Sequence, residues 1–302
     1  MKNPTLLAHF RSFCLQNALR DVEEAITLFA IFGGHGWSVD ATQSIDSLIQ
    51  TKFFDHYRYI HGDITKLTQS NKTHHALLSA LAQGDGKEFS AYRRANLSRR
   101  EGVESAQFLI DAGILREEKS LMKPLDSTLE VPRRFVFVTP WMRFWFAVVS
   151  PHYKTIKEGD FSQAQTYWTN IQQNFAEPLY EALIREYIAL AWEEKIERIG
   201  GYWDTQNTLE LLAKTASGSI IAGTFKYAKT KATKSEIAKL QARIAQANIE
   251  ATTLVLFAKG GFSSELKQLQ SPTLRLLSAK HLKALIDTLE PSELLEYTQK
   301  KY

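Results

Sequence analysis

The sequence predicts a mixed α/β chain, helical in its first half and sheet-bearing in its second. Two observations predict it. Between Thr73 and Val138, three helical stretches punctuated by glycines are followed by two short apolar runs. After Gly200-Gly201, apolar residues no longer recur every third or fourth position and gather instead in short runs, the signature of strands. A chain of 302 residues with 44% hydrophobic and 23% charged side chains is of ordinary globular composition, and at that length two or three domains are expected.

Composition excludes several classes. The single cysteine, Cys14, permits no internal disulfide, and no Cys/His zinc spacing occurs; it reads as a small core residue. A chain without disulfides suits a reducing cytoplasm. The N-terminus mixes His, Arg and Ser into its apolar residues, so no signal-peptide core is expected. The most apolar stretches, 25–32 and 135–149, are too short or too interrupted by charge to span a bilayer. The expectation is therefore a soluble, cytoplasmic protein. A formal net charge of +4 is compatible with nucleic-acid binding without requiring it.

Residues 1–70 form a helical N-terminal region. Leu19, Val22, Ile26 and Phe29 keep helical spacing over 17–32, and Gly33-Gly34 stops the helix. The Gly33-Gly34-His35-Gly36 run follows a helix rather than a strand and is not followed by Lys-Ser/Thr, so it is no phosphate loop. Further helices are expected over 41–54 and 72–83. Asp55, His56, His61 and Asp63 lie close in sequence and read as solvated surface rather than a metal site.

Residues 71–140 read as a winged helix-turn-helix. A helix around Ala76–Leu81 ends at Gly84-Asp85-Gly86, and a second covers Glu88–Ala95. Ser98 and Glu101 have capping-box spacing and open a third helix that stops at Ala112-Gly113. Strands at Ile114-Leu115 and Arg133–Val138 complete the pattern. In such a domain the third helix enters the major groove and the hairpin loop lies on the backbone. Arg93, Arg94, Arg99 and Arg100 flank the start of the third helix and are the expected DNA contacts. Many winged helices dock proteins instead.

Residues 141–170 form an aromatic connector, in which Trp141, Phe144, Trp145 and Phe146 read as core and Pro140 as a helix start. Residues 171–302 begin with a long helix whose Phe175, Leu179, Leu183 and Tyr187 share a face. Strands follow at Tyr202-Trp203, Leu209–Ala213 and Ser219–Tyr227, then a helix over Lys234–Ala247, a buried-type strand over Thr252–Ala258 and a further helix. Pro291 begins a final short helix. Helix, strand meander, helix, strand, helix is the plan of a restriction-endonuclease-like, PD-(D/E)XK α/β/α domain.

From Thr73 to Leu289 the chain resembles the C-terminal part of the archaeal-type AAA+ ATPase family, a winged helix followed by a nuclease-like domain of unknown function. It is most similar to the stand-alone bacterial form lacking the ATPase module. The residues that carry the resemblance are the Pro140–Phe146 motif, Tyr180-Glu181, Tyr202-Trp203-Asp204, Gly223-Thr224-Phe225-Lys226-Tyr227 and Gly261-Phe262-Ser263-Ser264-Glu265-Leu266. No Walker A loop occurs, so neither ATPase activity nor ATP binding is carried over. The resemblance implies a helical acid at Glu181, a strand acid at Glu210 where the family has Asp, and a lysine at Lys226. Thr224 stands where a second metal-binding Glu is expected, and Thr208 replaces a further acid.

These departures imply a degenerate site. A divalent ion would lower the pKa of bound water and stabilise charge on phosphorus, but Mg²⁺ requires close octahedral oxygen ligation. Asp-to-Glu displaces a carboxylate by roughly 1.5 Å, and losing the Glu at Thr224 removes a full charge. Glu181, Glu210 and Asp204 are the remaining candidate metal ligands. Loss of acids also leaves Lys226, Lys229, Lys231 and Lys234 together, with no acid before Glu236; they are expected either to neutralise phosphates or to serve as a solvated loop blunting a sheet edge. The expected function is non-catalytic binding of double-stranded DNA without a cofactor. Alternatives are a weak endonuclease using Mg²⁺ or Mn²⁺ and a protein-interaction or homodimerisation scaffold. No membrane partner is expected.

Overall fold

The computed structural model describes residues 4–121, 131–204 and 206–296. The chain is mixed helix and sheet, as its sequence implies, and it divides into two compact units. The first comprises residues 1–118, 133–176 and 289–302; the second comprises 119–132 and 177–288. This differs from a four-part division at 70, 140 and 170. The N-terminal region, the winged helix and the aromatic connector form one unit. The segment linking the two hairpin strands belongs to the other.

The first unit opens with α1 (Leu6–Gln16) and α2 (Val22–Phe32). Helix α2 begins at Val22, later than the periodicity suggests. Asn17 is held outside it, donating to the Phe13 carbonyl and accepting from Val39 N–H. Asp21 then caps α2 by accepting from Glu24 N–H at 2.8 Å. Helix α3 (Ile45–Ile49) runs on into a π-helical turn, Gln50–Phe54, and α4 covers Tyr57–Leu67. His61 and Asp63 therefore lie on a helix. Among the described residues, no group of three or more His, Cys, Asp or Glu is arranged to hold a metal.

Helices α5 (Lys72–Ala82), α6 (Glu88–Arg94) and α7 (Arg99–Asp111) are followed by the antiparallel strands β1 (Leu115–Glu118) and β2 (Arg134–Phe137), the element order expected of a winged helix. The Ser98–Glu101 capping box is present at the start of α7. Gly102 lets α6 approach α7, because a β-carbon there would lie 2.4 Å from the Tyr92 ring. The buried carboxylate of Glu88 fastens α6 to β2, accepting from Arg133 N–H at 2.9 Å and Arg133 Nε at 3.0 Å.

Helix α8 (Pro140–Phe144) continues through a π-helical turn (Trp145–Val149) to α9 (Tyr153–Lys157) and α10 (Ser162–Phe175). The aromatic motif is core, as expected: Phe144 packs on Phe53, Trp168 and Phe175, and Trp145 stacks on Tyr57. Arg143 closes the C-terminal end of α10. Its guanidinium lies 4.2 Å from the Phe175 ring and donates to the Phe175 carbonyl, and burial lowers its pKa to about 10. The chain returns at 289–296, where Glu293 receives two hydrogen bonds from Arg11 and Leu295 N–H donates to Ser12. Pro291–Glu293 is a 3₁₀ turn.

The second unit begins with α11 (Glu177–Ala191). The long helix expected from Phe175 onward is thus two helices, with Phe175 ending α10. Pro178 has no N–H to continue α10 but suits the first turn of a new helix. A meander of β3 (Ile196–Trp203), β4 (Thr208–Thr215) and β5 (Ile220–Lys226) is followed by α12 (Lys234–Gln246), β6 (Thr253–Ala258), α13 (Ser264–Gln268), β7 (Leu274–Leu277) and α14 (Ala279–Leu282). The sheet order is β3-β4-β5-β6-β7, antiparallel up to β5 and parallel from β5 to β7. Leu240 and Ile244 of α12 bury one face against Tyr202, Leu209, Leu212 and Ala222. Tyr180 of α11 packs near Phe257, which alternates to the opposite face from Leu256. The result is helix, sheet, helix.

The hairpin segment 119–132 is part of this unit. Leu121 N–H donates to Gly201 O, Trp203 N–H to Ser120 Oγ, and Trp203 Nε1 to Pro132 O at 2.7 Å. These bonds run along the edge strand β3, whose outer edge would otherwise be open. The ends of the hairpin loop are thus engaged with β3, whereas the sequence suggests a loop lying on a DNA backbone.

Candidate functional site

Helix α11 places Glu177, Tyr180, Glu181 and Arg185 at helical spacing along one face. Arg185 forms an ion pair with Glu181, one turn away. The same guanidinium donates to the Glu210 carbonyl, from Nε at 2.8 Å and from Nη2 at 2.6 Å. That carbonyl sits at a β-bulge. Gly200 pairs with Leu212 and Tyr202 with Leu209, so Glu210 and Leu211 both oppose Gly201. A bulge re-aims its residues, and Gly201 leaves room for Arg185, whose Nη2 lies 2.9 Å from where a β-carbon would stand.

Tyr227, just beyond β5, faces the same charges. Burial raises its pKa well above the ordinary phenol value, Glu181 and Glu210 push the same way, and Arg185 opposes them. Its hydroxyl and the Glu210 Oε2 are both buried without a hydrogen-bond partner among the described residues. Glu210 Oε1 lies 3.8 Å from Arg243 of α12. Burial also raises the Glu177 carboxyl, against the pull of Lys259. The Lys259 ammonium sits 4.9 Å from the centre of the Tyr180 ring.

Two residues expected at this site are elsewhere. Lys226 donates to Glu236 Oε1 at 3.0 Å and to the Lys231 carbonyl at 3.1 Å, at the start of α12. Strand alternation explains this, because Lys226 and Tyr227 cannot both face α11. For Glu236, burial acts to raise the pKa, but the Thr233 N–H, the Lys226 ammonium and the Thr233 hydroxyl outweigh it and hold it at about 2. Asp204 closes the β3–β4 turn, accepting from Tyr202 OH at 2.6 Å and from the N–H groups of Gln206 and Asn207. Thr224 is half-buried on β5.

Glu181, Glu210 and Asp204 are therefore not gathered as metal ligands: among the described residues they form no metal-holding cluster. Arg185 already supplies the positive charge beside Glu181, and Asp204 spends its oxygens on a turn. As placed, these residues do not fit a resident divalent ion. Sequence reasoning missed Arg185, Lys259 and Glu177, and gave Tyr227 only as the last residue of a motif, without a role. The i, i+4 spacing of Glu181 and Arg185 is the one signal that could have found the ion pair.

The lysine-rich segment has a defined geometry. The loops that leave the carboxyl ends of β5 and β6 are joined: Ala232 N–H donates to Gly261 O at 2.8 Å, and Ser263 N–H to Ala232 O at 2.9 Å. Gly260 allows the close approach, since a β-carbon would lie 2.3 Å from the Lys229 carbonyl. Over 226–236 and 259–267 there are six lysines and two glutamates. Lys229 and Lys231 are exposed, and Lys234 lies 3.5 Å from Glu265 in a largely exposed pair that contributes little. Ligands of open α/β sheets commonly sit at this end of the strands. Gly260→Ala should force the two loops apart and cost about 1–3 kcal/mol, by the usual penalty for overpacking. Urea unfolding measures it, and an unchanged midpoint would remove the claim that the loops are packed together.

In the first unit, Arg93 and Arg94 are exposed in the last turn of α6. Arg99 lies over the Phe89 ring at 5.2 Å. Arg100 is paired with Glu104 at 2.8 Å. The exposed surface of α7 also carries Glu101, Val103 and Asp111. With Arg99 and Arg100 set against Glu101, Glu104 and Asp111, this helix is not basic. Of the four arginines, Arg93 and Arg94 are exposed at the end of α6 rather than on α7.

Residues 145–238 match DUF234, described as archaeal and bacterial proteins of unknown function. No curated protein matches the chain. Among solved structures, protein VC1899 from Vibrio cholerae is similar over 72% of this chain at 13% identity, with a TM-score of 0.27. The chain spans about half of that neighbour, 54% of its length, and a likeness at that score carries no argument. No helix among the described residues is long and apolar enough to cross a membrane.

Proposed function

We propose that this chain binds nucleic acid through the lysine-bearing loops of its nuclease-like unit and does not cut it. The observation that carries this reading is the joined pair of loops after β5 and β6, with its surplus of four positive charges. Phosphate neutralisation by lysines releases counterions and gives affinity without sequence readout. The eroded acids support the non-catalytic half, because Glu181 is held by Arg185 and Thr224 offers only a hydroxyl.

Binding to labelled duplex and single-stranded DNA across 50–200 mM salt tests the reading. Affinity should fall steeply with salt. The double variant Lys229→Gln/Lys231→Gln should lower it about tenfold and reduce the salt slope by about two, roughly one for each phosphate no longer neutralised. Salt-insensitive binding, or a double variant that binds like the wild type, would sink it. In the same lanes, plasmid incubated with Mg²⁺ or Mn²⁺ should look alike for wild type and Glu210→Ala; nicking lost in that variant would restore the weak-endonuclease reading.

One observation favours a second role for the winged helix. The acidic, Val103-bearing surface of α7 suits docking of a protein partner better than insertion in a major groove. A pull-down that survives nuclease treatment and is lost in Val103→Asp would support it.

A further inference from the structure

We infer that the second unit carries a small-ligand site, separate from the acids and the lysine loops, for a flat ring bearing one anionic group, the chemistry of a nucleoside 5′-monophosphate. The site is a recess of about 170 Å³, open to solvent so that a ligand can extend beyond it, between the C-terminal turn of α11, strand β7 and α14. Its walls are aromatic. The Trp192 indole lies beneath the Arg275 guanidinium at 5.6 Å, and Tyr187 meets His281 edge-on at 6.2 Å. Ile188 and Leu277 add apolar surface. Few polar groups set in an aromatic and aliphatic lining is the usual make-up of a small-molecule site.

Two of those polar groups are donors. Arg275 gives one hydrogen bond to Glu193 at 2.8 Å and one to the Pro272 carbonyl at 3.3 Å, which leaves donors of its planar fork for a ligand. The Glu193 side chain is 69% exposed, so the pair is worth little and an incoming phosphate can displace it with a bidentate, charge-assisted contact. His281 accepts at Nδ1 from Ser278 N–H at 3.0 Å. With Nδ1 engaged as an acceptor, Nε2 is the nitrogen left to donate, a second donor on the residue that lines the recess. Rings for stacking and a guanidinium for the anion, in one recess, favour a nucleotide over a bare phosphate or an uncharged ring.

Isothermal titration of the full chain with adenosine 5′-monophosphate is the test, with adenosine and inorganic phosphate as the partial ligands. The nucleotide should bind, and each part should bind at least tenfold more weakly. Arg275→Gln should weaken nucleotide binding about tenfold, whereas Glu193→Gln, which removes the internal competitor, should strengthen it several-fold. Circular dichroism of both variants checks that they fold. No heat with the nucleotide, or equal affinity in wild type and Arg275→Gln, overturns the inference. Oligonucleotides with and without a 5′-phosphate identify the source: a preference for the phosphorylated end, lost in Arg275→Gln, assigns the site to strand ends, and binding of the free nucleotide alone assigns it to a metabolite. Binding through the lysine loops would be unaffected by Arg275→Gln, so the two readings fail separately.

Discussion

Replacing Arg133 with methionine is expected to destabilise the first unit by about 3 kcal/mol, the lower end of the range for breaking a buried ion pair. Glu88 is 4% exposed and is held by Arg133 through both the main-chain N–H and the guanidinium. The same guanidinium reaches Glu117 at 3.1 Å. Methionine keeps much of the packing but leaves the carboxylate of Glu88 without its guanidinium and removes one ion pair from Glu117. The Arg133 side chain is 31% exposed, so water screens part of the loss. For a unit of this size the melting temperature should fall by roughly 6–10 °C. Glu88→Gln in the same chain should recover a substantial part of that loss, because the stranded charge is then gone. A single variant that melts with the wild type would show that α6 and β2 are held together by other contacts.

Mild acidification should also weaken the first unit, between about pH 7 and 5.5. Burial lowers the pKa of His9, His61, His74 and His75, and for His75 the neighbouring His61 and His74 push the same way. A histidine whose folded pKa lies below its unfolded value of about 6.5 binds its proton more readily when unfolded. Its stabilising contribution is complete above that value and is lost as pH falls below it. Each proton taken up on unfolding contributes at most about 1.4 kcal/mol per pH unit, and the more exposed His61 contributes less. Burial is the main reason that each of the four rings resists charging, and at His61 the facing Lys157 adds to it. The lowered carboxyls of Glu236 and Glu293 act in a separate window, below their ordinary range. Melting curves at pH 7.5, 6.5 and 5.5 decide it: a melting temperature that holds or rises over that span contradicts the account.

Much of the fold was legible because its signals are local. Ser98 and Glu101 lie three residues apart and satisfy each other's neighbouring donors whatever the rest of the chain does. Gly34 and Gly113, at φ +84° and +71°, end helices in a backbone conformation that favours glycine, and the apolar runs of β5 and β6 announce buried strands. The density of aromatics at Trp141–Phe146 identified a core that the structure confirms. The candidate site was far less legible. Motif resemblance put Lys226 beside the acids, but side chains alternate along a strand, and β5 sends Lys226 to Glu236 while Tyr227 faces Glu181 and Glu210. A bulge of one residue in β4 decided where the Glu210 carbonyl points, and Arg185 took it. The segment linking the hairpin strands was read as part of the winged helix because it is contiguous with it, yet its described ends bond to β3. The sequence by itself determined most of the helices, the central strands and the residue types at the motif positions, since caps, periodicity and residue type are properties of neighbours in the chain; it did not show the edge strand β7 or the break between α10 and α11. Tertiary structure alone decided which charges meet, because strand register and face bring together residues tens of positions apart, and a shift of one residue exchanges the partners.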